Sequence, residues 1–358
     1  SAAWLYVHPS RYEGFGLPVA EAQACGAGVV ASAAASLPEA VGDGGLLVDP
    51  EDPGAFRDAF LDLDVHPEKL ADLRKRAPAS ARRFTADSLA ESIAKALRLA
   101  VERSRTRRKT EHRQRFAVVS PVPPQASGVA DYTSELVTAL VRYADVEVFV
   151  DRGVAPSVAL ARSTGHDARR LGERVRDAGF EEVFHQVGAS TFHCFVDEAA
   201  RSVPGIVTLH DLGWGRVPHH LARTPADQSS FRRELRRLEG PEALREFDEI
   251  VGRGWTGEGD LLDGFFRRHP MLGDLVGSSR GVIVHFPEAE ALLRRQFPSV
   301  PVRYFPMGVA DPLRDGVAGT VEIRTRLRLP LSGFVAGVFG IADPVKRLDA
   351  AVRAVAQL

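Results

Sequence analysis

This sequence has very little cysteine, no long hydrophobic run and almost no net charge, and each shortage excludes a class of protein. Its two cysteines, Cys25 and Cys194, lie far apart in apolar or small-residue stretches. We therefore expect buried free thiols in a reducing compartment and no disulfide. No run of about 18 apolar residues is present, which excludes a membrane-spanning helix. The net charge of −1 excludes the strongly basic surface of a general nucleic-acid binder, so we expect no nucleic-acid partner.

Metal-ligand spacing is also missing. The adjacent pair His219-His220 stands near Asp211, but neighbouring side chains point apart and no third ligand follows at a suitable spacing. We therefore expect no metal site. The chain also lacks an initiator methionine, opens almost at once on an apolar strand and closes inside the apolar stretch 348–358, from which we expect both ends to be cut.

What is present predicts a large α/β protein. A chain of 358 residues with 44% hydrophobic residues can form about two domains with sizeable cores. Short apolar runs alternate with helical patterns along most of its length, which is typical of parallel sheets covered by helices.

The most informative stretch is Pro9-Ser-Arg-Tyr-Glu13-Gly14-Phe-Gly16-Leu-Pro-Val-Ala-Glu21, which follows an apolar strand and opens a helix. Gly14 and Gly16 allow a positive φ and let a ligand approach the backbone, while the helix start offers N–H groups. Glu13 and Glu21 are acceptors for the hydroxyl groups of a sugar or ribose. The plainer interpretation is a strand-to-helix turn with a solvated glutamate at its edge.

The string Glu13-Gly-Phe-Gly-Leu-Pro-Val-Ala-Glu21 resembles the E-x7-E motif of family 4 retaining glycosyltransferases, and the similarity continues without a gap to Pro50. The resemblance implies a GT-B fold with Rossmann-like, doubly wound parallel sheets. It implies that Glu13 holds the donor sugar and Glu21 the ribose. It also implies a donor-binding role for four residues of the loop: Gly14, Phe15, Gly16 and Leu17.

By the same resemblance the chain carries one complete N-terminal-type domain and an incomplete nucleotide-binding domain split between the chain ends. We expect the second half of a nucleotide-sugar-binding domain at 1–102, a basic linker at 103–115, an acceptor-side Rossmann-like domain at 116–312, an interdomain linker at 313–330 and the first βα unit of a nucleotide-binding domain at 331–358. This order predicts an internal fragment of a tandem two-unit glycosyltransferase. For the arginine-rich stretch 103–115 the alternative is peripheral contact with anionic lipid headgroups.

In the acceptor-side domain, polar residues and glycines follow the predicted strands, where ligands of open α/β sheets collect. Segments around them resemble the acceptor loop and the sugar-contacting histidine of the same family. The candidates are His210 as a catalytic residue and Ser127, Gly128, Asp131, Gly188 and Asp211 on the acceptor side. A structural glycine turn and a hydrogen-bonded loop histidine are the alternatives.

Near the C-terminus, the segment from Gly333 to Leu348 resembles the first strand, turn and helix of the family's nucleotide domain. There Lys346 would meet the diphosphate, with Gly340 and Arg347 as further donor-binding residues. The family's usual arginine after the turn glycine is Ile341 here. In a doubly wound sheet the first strand lies beside the fourth, so we predict that strand 334–339 pairs with strand 3–7.

The resemblance implies a hexosyltransferase-type enzyme that moves a sugar from a nucleotide diphosphate sugar to a hydroxyl acceptor with retention. The acceptor would be a glycan or lipid-linked saccharide of a polysaccharide or cell-envelope pathway. We expect the donor to be a substrate and no cofactor to be needed. We expect a cytoplasmic protein, with the inner membrane face as the alternative, that works with the remainder of its parent chain. One alternative function is a non-catalytic carbohydrate-binding or scaffold piece with the same fold. The other is a GT-B-like epimerase or phosphorylase that acts on nucleotide sugars or polysaccharides, although the pyridoxal-binding lysine pattern of a phosphorylase is not evident.

Overall fold

The computed structural model describes residues 5–85, 87–89, 91–92, 95, 113–154, 164–213, 215, 222, 224–252, 260–308, 320–332, 335–337 and 348–356. The chain forms two compact units, one from Ser1–Ser88 with Met307–Leu358 and one from Leu89–Pro306. The strands are β1 (Leu5–His8), β2 (Gly28–Ser32), β3 (Gly45–Val48), β4 (Arg115–Val119), β5 (Asp145–Val150), β6 (Thr164–Asp167), β7 (Glu182–Val187), β8 (Ile206–Leu209), β9 (Gly281–Val284), β10 (Val302–Tyr304) and β11 (Ala336–Gly337). The helices are α1 (Leu17–Ala24), α2 (Leu37–Val41), α3 (Pro53–Val65), α4 (Pro67–Ala81), α5 (Gly128–Leu140), α6 (Leu171–Ala178), α7 (Cys194–Ser202), α8 (Pro225–Gly252), α9 (Asp260–Arg268), α10 (Gly273–Gly277), α11 (Pro287–Gln296), α12 (Thr320–Arg326) and α13 (Leu348–Val355).

The first unit is built on a parallel sheet in the order β11-β1-β2-β3. The two ends of the chain meet in this sheet, with Leu5 opposite Ala336 and Tyr6 opposite Gly337. The backbone N–H of Leu5 donates to the carbonyl of Val335 at 3.4 Å. The predicted pairing of the two terminal strands is confirmed.

Both faces of this sheet are covered, which explains why β1 is a continuous buried run. Alternate residues of a strand point to opposite faces. Leu5, Val7 and Val30 face a core completed by Phe56, Phe60 and Leu63 of α3 and by residues of α4 and α13. Tyr6, Val29 and Ala31 face a second core with Val19, Leu37 and Val41 of α1 and α2. Sequence patterns predict these strands and α1 to α3 within one or two residues.

Sequence patterns alone did not predict α4, a helix of fifteen residues. Its buried side chains, Leu70, Leu73, Ala77 and Ala81, recur at helical spacing. Charged residues and an internal Pro78 separate these four positions and weaken the pattern. After it, the backbone N–H of Ser88 donates to Thr85 Oγ1 at 3.1 Å, as expected if Thr85 caps a following helix.

The second unit contains a seven-stranded parallel sheet in the order β10-β9-β8-β7-β4-β5-β6. If β4 is numbered as the first strand of this unit and the sheet is followed from β6, the order is 3-2-1-4-5-6, and β10 adds one further strand at the end. This is the doubly wound arrangement that was predicted. The α/β class with Rossmann-like parallel sheets is therefore confirmed. The edge strand β6 was not predicted, because its sequence Thr-Gly-His-Asp has no apolar run.

A helical segment lies between β8 and β9. The spacing of Phe231, Leu235 and Leu238 predicts an apolar face on α8. Phe231 and Leu235 are buried, whereas Arg233, Arg236 and Arg237 are exposed. Gly240 has a φ of +91° and interrupts the helix before Pro241. The aromatic rings of Phe231, Phe247, Phe265 and Phe266 form the core of this segment.

The stretch 313–330, predicted as an interdomain linker, contains helix α12. One expectation requires correction. Both cysteines are free as expected, but neither is fully buried: Cys25 is exposed because it caps the C-terminus of α1, and Cys194 is half-buried. The arginine-rich stretch 103–112 lies outside the described residues. Among the helices that the structure describes, none combines the length and the apolar character needed to cross a bilayer.

Candidate functional site

The turn from β1 into α1 depends on Gly16. This residue has φ +93° and ψ +43° and precedes the first turn of α1, in which Pro18 lies. A Cβ at this position would come within 2.8 Å of Leu37 Cδ2, whose side chain is fully buried. Both the left-handed backbone and the close packing therefore demand glycine.

The carboxylate of Glu13 is held by a buried histidine at the carboxyl end of β1. His8 Nε2 and Glu13 Oε1 are 2.9 Å apart, and Tyr6 Oη lies 2.9 Å from His8 Nδ1. Tyr6 and His8 are each 1% exposed, and the Glu13 side chain is 12% exposed. The carboxylate therefore stands at the boundary between the buried strand and the surface.

Side chains also hold the backbone of this loop. Ser36 Oγ, from the start of α2, donates to the carbonyl of Glu13 at 2.8 Å. Ser10 Oγ donates to the carbonyl of Tyr12 at 3.0 Å. Packing and hydrogen bonds within the protein therefore set the conformation of the loop.

The start of α1 offers unsatisfied backbone donors. Within the part of the chain that the structure describes, the N–H groups of Phe15, Gly16 and Leu17 have no hydrogen-bond acceptor. Such groups form a local positive potential that attracts anions. The ring of Phe15 is buried edge-on against Phe84, with centroids 5.1 Å apart, so Phe15 offers only its backbone to a ligand. Glu21 lies further along α1 with an exposed side chain.

In the second unit, the residues after β7, β8 and β9 form a buried histidine cluster. Its members are His193, His210 and His285, with Tyr132 of α5. The ring of His210 lies 4.9 Å from that of His285 and 4.7 Å from that of Tyr132, and His210 Nε2 donates to Gln186 Oε1 at 2.8 Å.

Burial keeps this cluster uncharged. Desolvation lowers the pKa of His193 and of His285 to about 4. The pKa of His210 is also held well below its usual value, first by burial and then by the neighbouring His285 and His193. Desolvation also raises the pKa of Tyr132. At neutral pH these rings are hydrogen-bonding groups and not charges.

Gly188 and Asp211 lie beside this cluster, as their positions at strand ends predicted. A Cβ on Gly188 would come within 2.8 Å of His193 Cε1, so this glycine allows the histidine to pack against the backbone. Asp211 Oδ1 accepts from the backbone N–H of Gly213 at 2.6 Å and shapes the loop after β8.

The three residues predicted from the first loop of this unit have a different environment. Ser127 caps α5, since its Oγ accepts from the backbone N–H of Val129 at 3.3 Å. Gly128 borders open space and Asp131 is exposed on the first turn of α5. Ser127 therefore has a structural role as a helix cap, and the acceptor-side role of all three residues stays a prediction.

Comparison with known proteins finds similarity over the segment that contains the loop of Glu13 and Gly16. Residues 1–64 match the family model described as Glycosyl transferases group 1. Over these residues the chain is similar to the group 1 glycosyltransferases. The chain is 57% identical over 56 residues to the O-antigen chain mannosyltransferase B of Escherichia coli, which covers 16% of this chain and 15% of the relative. It is 42% identical over 107 residues to the D-inositol 3-phosphate glycosyltransferase of Acidothermus cellulolyticus, which covers 29% of this chain and 24% of the relative.

A third relative, the D-inositol 3-phosphate glycosyltransferase of Streptomyces coelicolor, is 37% identical over 113 residues, or 31% of this chain and 25% of the relative. The chain therefore spans a quarter or less of the length of these three glycosyltransferases. No solved structure matches the chain.

Several residues named in the sequence analysis lie outside the described residues. They are Gly340, Lys346 and Arg347, together with the pair His219-His220. In the described ranges, no group of three or more His, Cys, Asp or Glu side chains is arranged so that it could hold a metal ion.

Sequence reasoning overlooked Tyr6 and His8 at the first site. At the second site His193 could be placed at a strand end, but its grouping with His285, Tyr132 and Gln186 was overlooked. For the first pair a signal existed: Tyr6 and His8 are two residues apart at the end of a strand, so both side chains leave on the same face, beside the loop. For the second group no local signal existed, because α5, β7, β8 and β9 come together only in the folded sheet.

Proposed function

We propose that the parent protein transfers a sugar from a nucleoside diphosphate sugar to a hydroxyl acceptor and that the loop from Pro9 to Glu21 binds the donor. One observation carries this proposal: the hydrogen-bonded carboxylate of Glu13 precedes the unsatisfied N–H groups of Phe15, Gly16 and Leu17 in a loop that matches the glycosyltransferase family. A carboxylate suits sugar hydroxyls, and clustered N–H groups suit phosphate oxygens.

The proposed chemistry follows from this arrangement. As the bond between the anomeric carbon and the diphosphate breaks, positive charge develops on the sugar and negative charge on the leaving phosphate. The backbone N–H groups at the start of α1 would stabilise the leaving group, and Lys346 would add a compact positive charge. Glu13 would hold the sugar hydroxyls and Glu21 the ribose.

We propose retention of anomeric configuration, with the leaving phosphate accepting the proton of the acceptor hydroxyl and no metal or cofactor required. The relatives are named as a mannosyltransferase and as inositol phosphate glycosyltransferases. A hexose donor and a glycan or lipid-linked acceptor of a cell-envelope pathway fit those names. In the second unit, His210 would be a catalytic residue and Gly188 and Asp211 would serve the acceptor side, as part of a tandem enzyme.

The test measures donor binding by the 358-residue chain with a panel of UDP-, GDP- and ADP-hexoses. Glu13→Gln keeps the size of the side chain and removes its charge. We expect this variant to bind the preferred donor about ten- to a hundredfold more weakly, the range for a lost charged hydrogen bond. Isothermal titration calorimetry gives the affinities.

Glu68→Gln is the matched control, since Glu68 is an exposed glutamate on α4 of the same unit. We expect it to bind like the wild type. Equal donor affinity for the wild type and Glu13→Gln would contradict the proposed site. Tight binding with no transfer or hydrolysis by the full-length parent would instead favour the non-catalytic, carbohydrate-binding alternative.

A further inference from the structure

We propose that His8, oriented by Tyr6, is the positioning residue for the Glu13 carboxylate in the donor site. This inference rests on the proposed function of the loop and adds to it the side chains that set the orientation of its acid. The contacts that carry it are the 2.9 Å pair between His8 Nε2 and Glu13 Oε1 and the 2.9 Å pair between Tyr6 Oη and His8 Nδ1.

The hydrogen bonds that link Tyr6, His8 and Glu13 have one consistent set of donors and acceptors when the imidazole of His8 is neutral. An ionised Glu13 can only accept, so His8 Nε2 must carry the hydrogen and donate it to Oε1. His8 Nδ1 is then an acceptor, and the hydroxyl of Tyr6 donates to it. Tyr6 therefore selects the tautomer that Glu13 needs, as a hydrogen bond to one ring nitrogen sets the role of the other.

The burial of Tyr6 and His8 restricts the movement of these two hydrogen-bonded side chains. Each is 1% exposed, and their rings stack with centroids 5.8 Å apart and planes 29° apart. Both lie on β1, which pairs with β2 on one side and β11 on the other. Groups held by packed strands keep the geometry that binding requires, and a hydrogen bond away from water is stronger than an exposed one.

The alternative is that His8 only stabilises the fold of the loop, and a pair of isosteric variants separates the two roles. The amide nitrogen of His8→Gln lies where Nε2 lies in histidine and can still donate to Glu13. The amide of His8→Asn lies where Nδ1 lies and reaches only as far as Tyr6. Tyr6→Phe removes the hydroxyl and keeps the ring in the core.

Gln23→Met is the stability control. Gln23 is fully buried in the same unit, and its Nε2 donates to the carbonyl of Val41 at 2.7 Å. Its replacement removes a buried hydrogen bond of similar kind without touching the Glu13 carboxylate. Thermal unfolding of every variant shows how much each one destabilises the chain.

We expect His8→Asn to weaken binding of the preferred hexose donor about tenfold or more, His8→Gln to stay within about threefold of wild type, and Gln23→Met to bind like the wild type. In ¹⁵N-edited spectra of the full chain, His8 should be protonated at Nε2, and Tyr6→Phe should shift it toward a mixture of tautomers. These readouts report on orientation and not on folding.

The inference is overturned if His8→Asn and Gln23→Met weaken donor binding to the same extent, or if His8 is protonated at Nδ1 alone. In either case binding by the wild-type chain would still support the proposed function. If the wild-type chain binds no nucleoside diphosphate sugar, the proposed function fails and the ligand role of His8 fails with it.

Discussion

Replacing Gly16 by alanine tests whether the start of α1 has the conformation on which the donor site depends. Two costs add. A residue other than glycine at φ +93° loses about 1–2 kcal/mol from the left-handed backbone. The new methyl group would also lie 2.8 Å from Leu37 Cδ2 in a closed core, and such overpacking costs about 1–3 kcal/mol. We expect Gly16→Ala to lower the free energy of unfolding of the first unit by about 2–4 kcal/mol, after a small gain from the stiffer unfolded chain.

Gly26→Ala is a control that separates the two costs. Gly26 follows α1 with φ +77°, but its new methyl would meet only Pro78 Cγ, at 4.0 Å. It should therefore show the backbone cost alone, about 1–2 kcal/mol. Urea denaturation gives both values, and amide hydrogen exchange of β1 and β2 assigns the loss to the first unit. Equal losses for the two variants would refute the argument that the packing of Leu37 against Gly16 shapes the loop.

Two further predictions concern the second unit. Glu147 accepts hydrogen bonds from Arg115 and Arg174 at 2.8 Å and pairs with His166 at 3.0 Å, and these partners, led by Arg174, hold the pKa of Glu147 below its usual value. Glu147→Gln should therefore destabilise the unit by about 1–3 kcal/mol at pH 7. Because the pKa of Glu147 is lowered in the folded state, the stability difference between wild type and Glu147→Gln should shrink as the pH falls below the ordinary glutamate pKa of 4.5. Urea midpoints of the two proteins that differ equally at pH 7 and at pH 3.5 would contradict this. His285 has a pKa lowered from 6.5 to about 4, so the unfolded chain takes up its proton first and stability should fall as the pH drops from 6.5 to 4. His285→Asn, whose amide can still donate to the carbonyl of Phe305, should flatten that slope in urea titrations, and an unchanged slope would show that His285 does not contribute to it.

Much of the fold follows from local patterns. Apolar runs such as Leu5–Val7 and Val29–Ala31 are buried on both faces. Pro18 and Thr85 are sequence signals for helix starts, and the structure has Pro18 in the first turn of α1 and a capping hydrogen bond at Thr85. The patterns failed where the apolar signal was weak. Strand β6 has a polar sequence and is placed by pairing with β5, and the four apolar positions of α4 are diluted by charged residues.

In the candidate site, too, some features follow from local sequence patterns and others do not. Gly16 and Glu13 could be predicted because the loop has a recognisable string of residues in sequence. Phe15 was predicted as a donor-binding residue through the loop backbone. That its ring packs against Phe84, more than sixty positions away, could not be predicted, because no local pattern reveals such a contact. The pairing of β1 with β11 could be predicted only by combining two separate resemblances with the strand order of doubly wound sheets.

The sequence by itself determined the α/β class, the strand-glycine-helix turn and the acidic residue at its edge, because backbone preferences and alternation act over a few neighbouring residues. Only the tertiary structure decided which side chains hold that acid and which histidines share a core. His8 reaches Glu13 because the chain reverses direction at the end of β1, and His210 meets His285 because their strands are neighbours in the sheet. Those contacts depend on the packing of residues far apart in the chain, where burial determines both distance and charge.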